Sequence, residues 1–186
     1  TYATGRLLED TLEVIASTGL PEPDFAMCGV GTILYDAGGH ELMHDFTDAL
    51  ADGWDSSKIE RIVQATTDAR RQPQEFQHQY KSSWYLEGAE DHTIDELEYV
   101  LDAAGLNVNV VYSSDRDLDV LPRMGNKGKA LTWLIERLGI AADEVIVAGD
   151  TGNDAAMFLV PGVRGIIVEN AQPELSARTV DAATYQ

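Results

Sequence analysis

Val145, Ile146, Val147 and Ala148 form a short apolar run with no polar alternation, the pattern of a strand buried on both faces of a parallel sheet. Gly149 frees the backbone to turn, and Asp150 is the first side chain past the strand, before a helix that carries Ala155, Ala156, Met157 and Phe158. Near the start, Leu7, Leu8, Thr11, Leu12, Val14 and Ile15 recur at helical spacing, and Gly19 closes that helix ahead of Pro21. Residues 1–6 read as a strand end and turn. A second apolar run over 25–31 is followed by Ile33, Leu34 and Tyr35 and the turn Asp36-Ala37-Gly38-Gly39, which predicts two short strands joined by a tight bend.

From about Phe46 the texture changes. Ile59, Ile62 and Val63 predict a helix over 56–70, broken by Gln72-Pro73-Gln74, and 81–86 reads as a strand with aromatics. Thr93 is the expected cap of a further helix (Leu97, Val100, Leu101), with Asp95 and Glu96 in its first turn and Gly105 at its end. Strands follow over 108–113 and 118–121. The expected domains are therefore a core made of 1–45 and 125–186 and an inserted α/β module over 46–124. The last third resumes an αβ rhythm: a helix over 127–138 with Ala130, Leu131, Leu134, Ile135 and Leu138 on one face, the strand ending at Asp150, and a strand over 163–168 before the turn Asn170-Ala171-Gln172-Pro173. The opening strand shows only its last residues and 181–186 closes no helix, so further sequence is expected beyond both ends. The fold class is α/β, a Rossmann-like parallel sheet with an insertion.

The 186 residues suffice for one sizeable core or a core plus a small second domain. No apolar run approaches the ~20 residues that cross a bilayer, so no membrane partner is expected. Cys28 is the one cysteine, which rules out an intramolecular disulfide and fits a reducing cytoplasm; its apolar neighbours make it a buried small hydrophobe. The net charge of −19, from 32 acidic and 13 basic residues, argues against nucleic-acid binding. It also means that a site for an anion must be locally positive against a negative global field.

Asp150, Asn153 and Asp154 crowd the carboxyl end of a buried strand, where open α/β sheets bind ligands. Such oxygen donors suit Mg²⁺ better than zinc. An EF-hand does not fit, because Gly152 stands at the third position and Ala155 at the sixth. Taken alone, the same residues could be an ordinary turn and helix cap. Gly125-Asn126-Lys127-Gly128-Lys129 places a cation and a glycine-lined turn at a helix start, an arrangement that attracts anions, although a solvated lysine reads the same way. It is not a Walker A loop, since four residues do not separate the glycines and no Ser or Thr follows Lys129. Thr4-Gly5-Arg6 offers a hydroxyl and backbone N–H groups at a strand-to-helix turn, or a routine N-cap. Gly29-Val30-Gly31-Thr32 fails the dinucleotide fingerprint because Leu34 replaces the third glycine.

The segments YATGR, GVGTILY, YSSDRDLDVLPRMGNKGKAL, VAGDTGNDAAMF and GIIVENAQPEL, in this order, resemble the haloacid dehalogenase superfamily of aspartate-nucleophile phosphatases, and more narrowly the sucrose-phosphate phosphatase family. The resemblance implies a Mg²⁺-dependent phosphatase acting through an aspartyl-phosphate, with sucrose 6-phosphate as substrate. Mannosylfructose phosphate, another glycoside phosphate, a phosphomutase reaction or an inactive sugar-phosphate-binding domain are the alternatives. It makes Thr4 the hydroxyl that hydrogen-bonds the transferring phosphoryl group and Lys127 the lysine that pairs with nucleophile and phosphate. Asp150 becomes a magnesium ligand, with Asn153 and Asp154 completing the metal motif. The inserted module becomes a cap that closes over the sugar. Lys81, Ser114, Asp115 and Arg116 are then sugar contacts from the cap, and Arg6, Gly31 and Thr32 contacts from the core. The phosphate pocket is expected to be locally cationic, and a sugar-phosphate synthase is the expected protein partner. The family's first motif, Asp-x-Asp-x-Thr, does not occur in this sequence, so the nucleophile is expected upstream of Thr1.

Overall fold

The structure, a computed structural model, describes residues 1–180 together with 182, 184 and 185. Its first third runs β1 (Tyr2–Ala3), α1 (Leu8–Thr18), β2 (Phe25–Cys28), β3 (Ile33–Asp36), β4 (Glu41–Leu42) and α2 (His44–Asp48). The middle holds α3 (Ser56–Thr66), β5 (Arg70–Arg71), β6 (Ser82–Tyr85), α4 (Asp91–Ala103), β7 (Val108–Ser113) and β8 (Asp117–Pro122). The last third holds α5 (Lys127–Leu138), β9 (Ile146–Gly149), α6 (Ala155–Phe158), β10 (Arg164–Ile167), α7 (Pro173–Arg178) and β11 (Thr184–Tyr185).

Among the described residues, three sheets result. β1 pairs parallel to β2, which continues through antiparallel β3 and β4. β9, β10 and β11 form a parallel sheet with β10 in the middle. The middle third builds its own antiparallel sheet in the order β5-β6-β8-β7. Of the three apolar clusters among the described residues, two are large. One joins Met27 and Leu34 to Leu131, Leu134, Val147, Phe158 and Leu175. The other packs Ile59 and Val63 of α3 and Leu97 and Leu101 of α4 against Trp84, Leu118 and Val120 of the antiparallel sheet. The helical periodicity of those apolar positions is what lets α3 and α4 lie on one face of that sheet.

Several expectations change. β9 is not buried on both faces: Val147 is buried, but Ile146 is 58 % exposed. One face packs on α5 and α6, while Ile146, Ala148 and Ile166 lie on exposed positions of β9 and β10. The helix expected over 56–70 stops at Thr66, because Thr67 turns extended and its hydroxyl takes the Val63 carbonyl. Thr93 does not cap α4; it lies within the first turn, behind Glu90. The boundary at Phe46 falls inside α2, whose Phe46 is fully buried in the first cluster together with Leu50. α7, with Pro173 at its start, follows the turn at 170–173 without having been foreseen. The expectation for 181–186 rests in part on 181, 183 and 186, which lie outside the described residues.

Candidate active site

Lys127 begins α5, where a cation faces the positive end of the helix dipole. Asn126 satisfies the helix start instead, its side-chain oxygen accepting the Lys129 N–H at 2.9 Å. The Lys127 ammonium turns away and donates to Asn153 Oδ1 at 2.6 Å and Asp154 Oδ1 at 2.5 Å. Lys127 and Asp154 are both buried, so each is held by its partner rather than by water. The other Asp154 oxygen accepts the N–H groups of Asp150 at 3.0 Å and Thr151 at 3.2 Å. Asp154 therefore has both oxygens engaged within the protein. Lys127 has two of its three N–H bonds engaged, and the third is left for a ligand.

Asp150 differs from its neighbour. Its carbonyl accepts from Gln172 N–H at 2.7 Å, and its carboxylate is exposed. Ala3, Thr4, Gly5, Lys127, Asp150 and Asn153 share the lining of a cavity of about 390 Å³. Here Thr4 follows β1; its hydroxyl oxygen accepts the Arg6 N–H at 3.2 Å, which leaves the O–H free to donate. The expectation of a locally cationic pocket is not met by side chains alone, since this cavity sets one ammonium against the carboxylates of Asp150 and Asp154. Among the described residues no three His, Cys, Asp or Glu side chains form a metal-binding group. The donor set still suits magnesium, which commonly binds through one or two carboxylates, waters and the substrate's phosphate. Asp150 is the open carboxylate that fits this role.

A second cavity, of about 380 Å³, shares Thr4, Gly5 and Asn153 with the first and extends to the middle sheet. Arg6, Lys81, Ser114 and Arg116 line it, together with Gln72, Phe76, Tyr85, Asp117 and Asp119. Lys81 is buried, and its ammonium meets Asp119 Oδ1 at 2.9 Å, the Phe76 carbonyl at 3.2 Å and the Ser83 hydroxyl. Three acceptors engage all three of its donors. Ser83 in turn donates to Asp119 Oδ1 at 2.6 Å. Arg116 grips Asp117 through two nitrogens, at 3.1 and 3.0 Å, and stacks over Tyr85, 5.4 Å from the ring centre. The hydrogen bonds to Asp117, followed by its charge, raise the Arg116 pKa above its usual value.

Of the expected sugar contacts, Arg6, Lys81, Ser114 and Arg116 reach this cavity. Asp115, Gly31 and Thr32 are not part of its lining. Asp115 accepts from the Tyr112 hydroxyl at 3.3 Å. Thr32 is fully buried with its hydroxyl donated to the Gly29 carbonyl at 2.9 Å. Gly31, at φ 97°, lies under the start of α5, where a Cβ would come within 2.5 Å of the Lys127 nitrogen. The bare Gly31 thus lets the backbone pass close under the start of α5. Asp119 was missed from the sequence, although the signal is present. In β8, Leu118 and Val120 enter the apolar cluster, so period-two alternation sends Asp117 and Asp119 to the opposite face. Register then sets Asp119 directly across from Ser83.

A family model describing sucrose-6F-phosphate phosphohydrolases matches residues 1–186. The chain belongs to that family. Among sucrose-6F-phosphate phosphohydrolase relatives, mannosylfructose-phosphate phosphatase of Agrobacterium fabrum is 44 % identical over 174 residues, covering 94 % of this chain and 70 % of that protein. Probable sucrose-phosphatase 2 of Arabidopsis thaliana is 32 % identical over 178 residues, and here the chain spans 42 % of the relative. The solved sucrose-phosphatase of Synechocystis sp. PCC6803, in complex with sucrose and phosphate, superposes with a TM-score of 0.91 at 34 % identity, over 99 % of this chain and 76 % of that one. A haloacid dehalogenase-like hydrolase from B. subtilis, 14 % identical with a TM-score of 0.63, covers 98 % of this chain and 80 % of its own and shares the fold. The chain thus has a haloacid dehalogenase α/β fold, and its family is one of sugar phosphatases.

Proposed function

We propose that the whole protein hydrolyses a phosphorylated disaccharide, with sucrose 6-phosphate as the first candidate. The observation that carries this reading is the junction of two cavities at Thr4, Gly5 and Asn153. One end presents the free N–H of Lys127, the Thr4 hydroxyl and the Asp150 carboxylate. The other presents a wall of fixed polar groups from the middle sheet, suited to the many hydroxyls of a sugar. We assign the phosphate to the Lys127 end and the sugar to the Arg116 and Asp119 end. Residues from α3 to β8 then form the cap over the sugar.

Lys127 donates to a phosphoryl oxygen with the N–H that Asn153 and Asp154 leave free. The Thr4 hydroxyl donates to a second oxygen, and Asn153 and Asp154 keep the lysine aimed. Asp150 would hold Mg²⁺, whose charge would offset the phosphate where the lining carries more carboxylates than cations. In this proposal a carboxylate encoded before Thr1 attacks phosphorus as the sugar oxygen leaves, and water then hydrolyses the aspartyl-phosphate. Delivery of the ester by the synthase that makes it belongs to the same proposal.

The 44 % identity to the Agrobacterium enzyme supports a second reading, mannosylfructose phosphate as substrate. Phosphate release by the full-length protein from sucrose 6-phosphate, mannosylfructose phosphate, glucose 6-phosphate and fructose 6-phosphate separates the two. A kcat/KM highest for sucrose 6-phosphate supports the first reading, and highest for mannosylfructose phosphate the second. Equal or better use of the monosaccharide esters, or binding without any release, contradicts both.

A further inference from the structure

The carboxylate of Glu174 has one oxygen doing two things. Oε1 accepts the backbone N–H of Gly152 at 2.8 Å and the backbone N–H of Ser114 at 3.0 Å. Gly152 belongs to the loop that carries Asp150, Asn153 and Asp154. Ser114 stands at the tip of the β7–β8 hairpin, with Ser113 and Arg116 of the sugar cavity on either side. The Gly152 amide follows β9 of the parallel sheet, the Ser114 amide joins β7 to β8 of the antiparallel sheet, and a single oxygen of α7 is their shared partner.

The surroundings are built for this contact. Leu175 is fully buried and anchors α7 in the first cluster. The Gln172 N–H, immediately before α7, donates to the Asp150 carbonyl at 2.7 Å, which fixes the helix start to the metal loop. Gly152 has no side chain in the way: a Cβ there would come within 2.9 Å of Glu174 Oε1. On the hairpin side, Ser114 and Asp115 adopt φ of 57° and 51°, the left-handed pair of a tight hairpin turn that points the Ser114 N–H outward. The Tyr112 hydroxyl braces that turn, its single hydrogen directed between the Leu86 carbonyl at 2.9 Å and Asp115 Oδ1 at 3.3 Å.

We propose that Glu174 is a positioning residue that couples docking of the β7–β8 hairpin to the geometry of the Asp150–Asp154 loop. With the hairpin seated, Oε1 is held from two sides and the Gly152 amide is fixed; when the hairpin lifts, one of its two donors is lost and the loop is held less tightly. A hydrogen-bonded charged acceptor that bridges two parts of a fold gives such coupling without any contact to substrate. The coupling rests on the phosphatase reading for its consequence but not for its geometry.

Amide exchange by NMR in the full-length protein, without substrate or metal, tests the geometry. In Glu174→Ala the Gly152 and Ser114 amides should both exchange about tenfold faster, the loss expected for a charge-assisted hydrogen bond. The Asp150 and Thr151 amides, held by Asp154 instead, should keep their protection, and Glu174→Gln, which retains an acceptor oxygen, should restore most of it. Steady-state kinetics tests the consequence: kcat/KM on the best ester should fall about tenfold in Glu174→Ala, mostly in kcat, and recover in Glu174→Gln. Unchanged exchange at either Ser114 or Gly152 overturns the proposal, as does equal loss at Asp150 and Thr151, which marks a general structural role. Coupled exchange with unchanged kcat/KM overturns the catalytic consequence. A wild-type protein that shows the exchange pattern but hydrolyses no ester removes the phosphatase reading and leaves the latch.

Discussion

Two buried lysine–aspartate pairs line the joined cavities, one in each, and they are built differently. In the core, Lys127 meets Asp154 with one ammonium N–H to spare, and Asp154 is held on its far side by two loop amides. In the middle sheet, Lys81 meets Asp119, Ser83 and the Phe76 carbonyl and has no donor left. The first pair presents a cation to a ligand; the second uses its cation to hold a carboxylate and a hydroxyl in place. Burial and partner identity alone do not separate a site lysine from a scaffold lysine. The count of unengaged donors does.

Lys127→Met breaks the comparison most severely. Removing one preorganised donor from a phosphoryl group should lower turnover of the full-length enzyme about a thousandfold, as measured by phosphate release. A loss within tenfold would place the phosphate elsewhere. Lys81→Met should act first on stability, because it leaves Asp119 buried beside the Ser83 hydroxyl without a cation. A cost of about 3 kcal/mol in denaturant unfolding is expected, with much of it recovered in Lys81→Met/Asp119→Leu. Failure of the double variant to recover would make Lys81 more than a scaffold. Asp150→Asn, at an exposed position, should leave unfolding unchanged and raise the magnesium needed for half-maximal turnover about tenfold. An unchanged magnesium titration would move the metal to other groups.

The smallest effect concerns His78, whose backbone pairs with that of Lys81. Burial lowers the His78 pKa below its ordinary value, against the opposing charge of Glu9 and with a smaller push from Lys81. The unfolded chain therefore takes up its proton at a higher pH than the folded one. His78's share of stability is full above the unfolded value of about 6.5 and is lost as pH falls toward and through the lower folded value. His78→Gln should flatten this part of the stability profile. Identical profiles for the two proteins would show that His78 titrates alike in both states.

Much of this was legible in the sequence because local patterns carried it. The helix at 127–138 ends at the predicted residues, since its apolar face, its Asn126 cap and Gly139 all agree. Strand 108–113 likewise matches its bounds. Legibility failed where packing decides. Ile146 looks like the interior residue Val147 is, and only the arrangement of α5 and α6 on one side separates them. Thr93 has the right side chain for a cap, but the chain enters α4 two residues earlier. At the site, Lys127, Asp150 and Thr4 could be named because each follows a strand end or opens a helix. Asp119 and Glu174 could not be found that way. Their partners, Ser83 across a strand pair and the amides of Ser114 and Gly152, become neighbours through long-range register and the docking of α7. Gly31 and Thr32, expected as sugar contacts, line neither cavity: Gly31 lies against the backbone of Asn126 and Lys127, and Thr32 is fully buried.

The measurement closest to the centre of this account is the binding of inorganic phosphate, in the presence of Mg²⁺, to the full-length wild type and to the Lys127→Met and Lys81→Met variants by titration calorimetry. One spare ammonium donor on the core side predicts that Lys127→Met loses phosphate binding by at least about tenfold while Lys81→Met, if folded, keeps it. Equal weakening in both, or loss in Lys81→Met alone, would contradict the assignment of the phosphate end of the pocket.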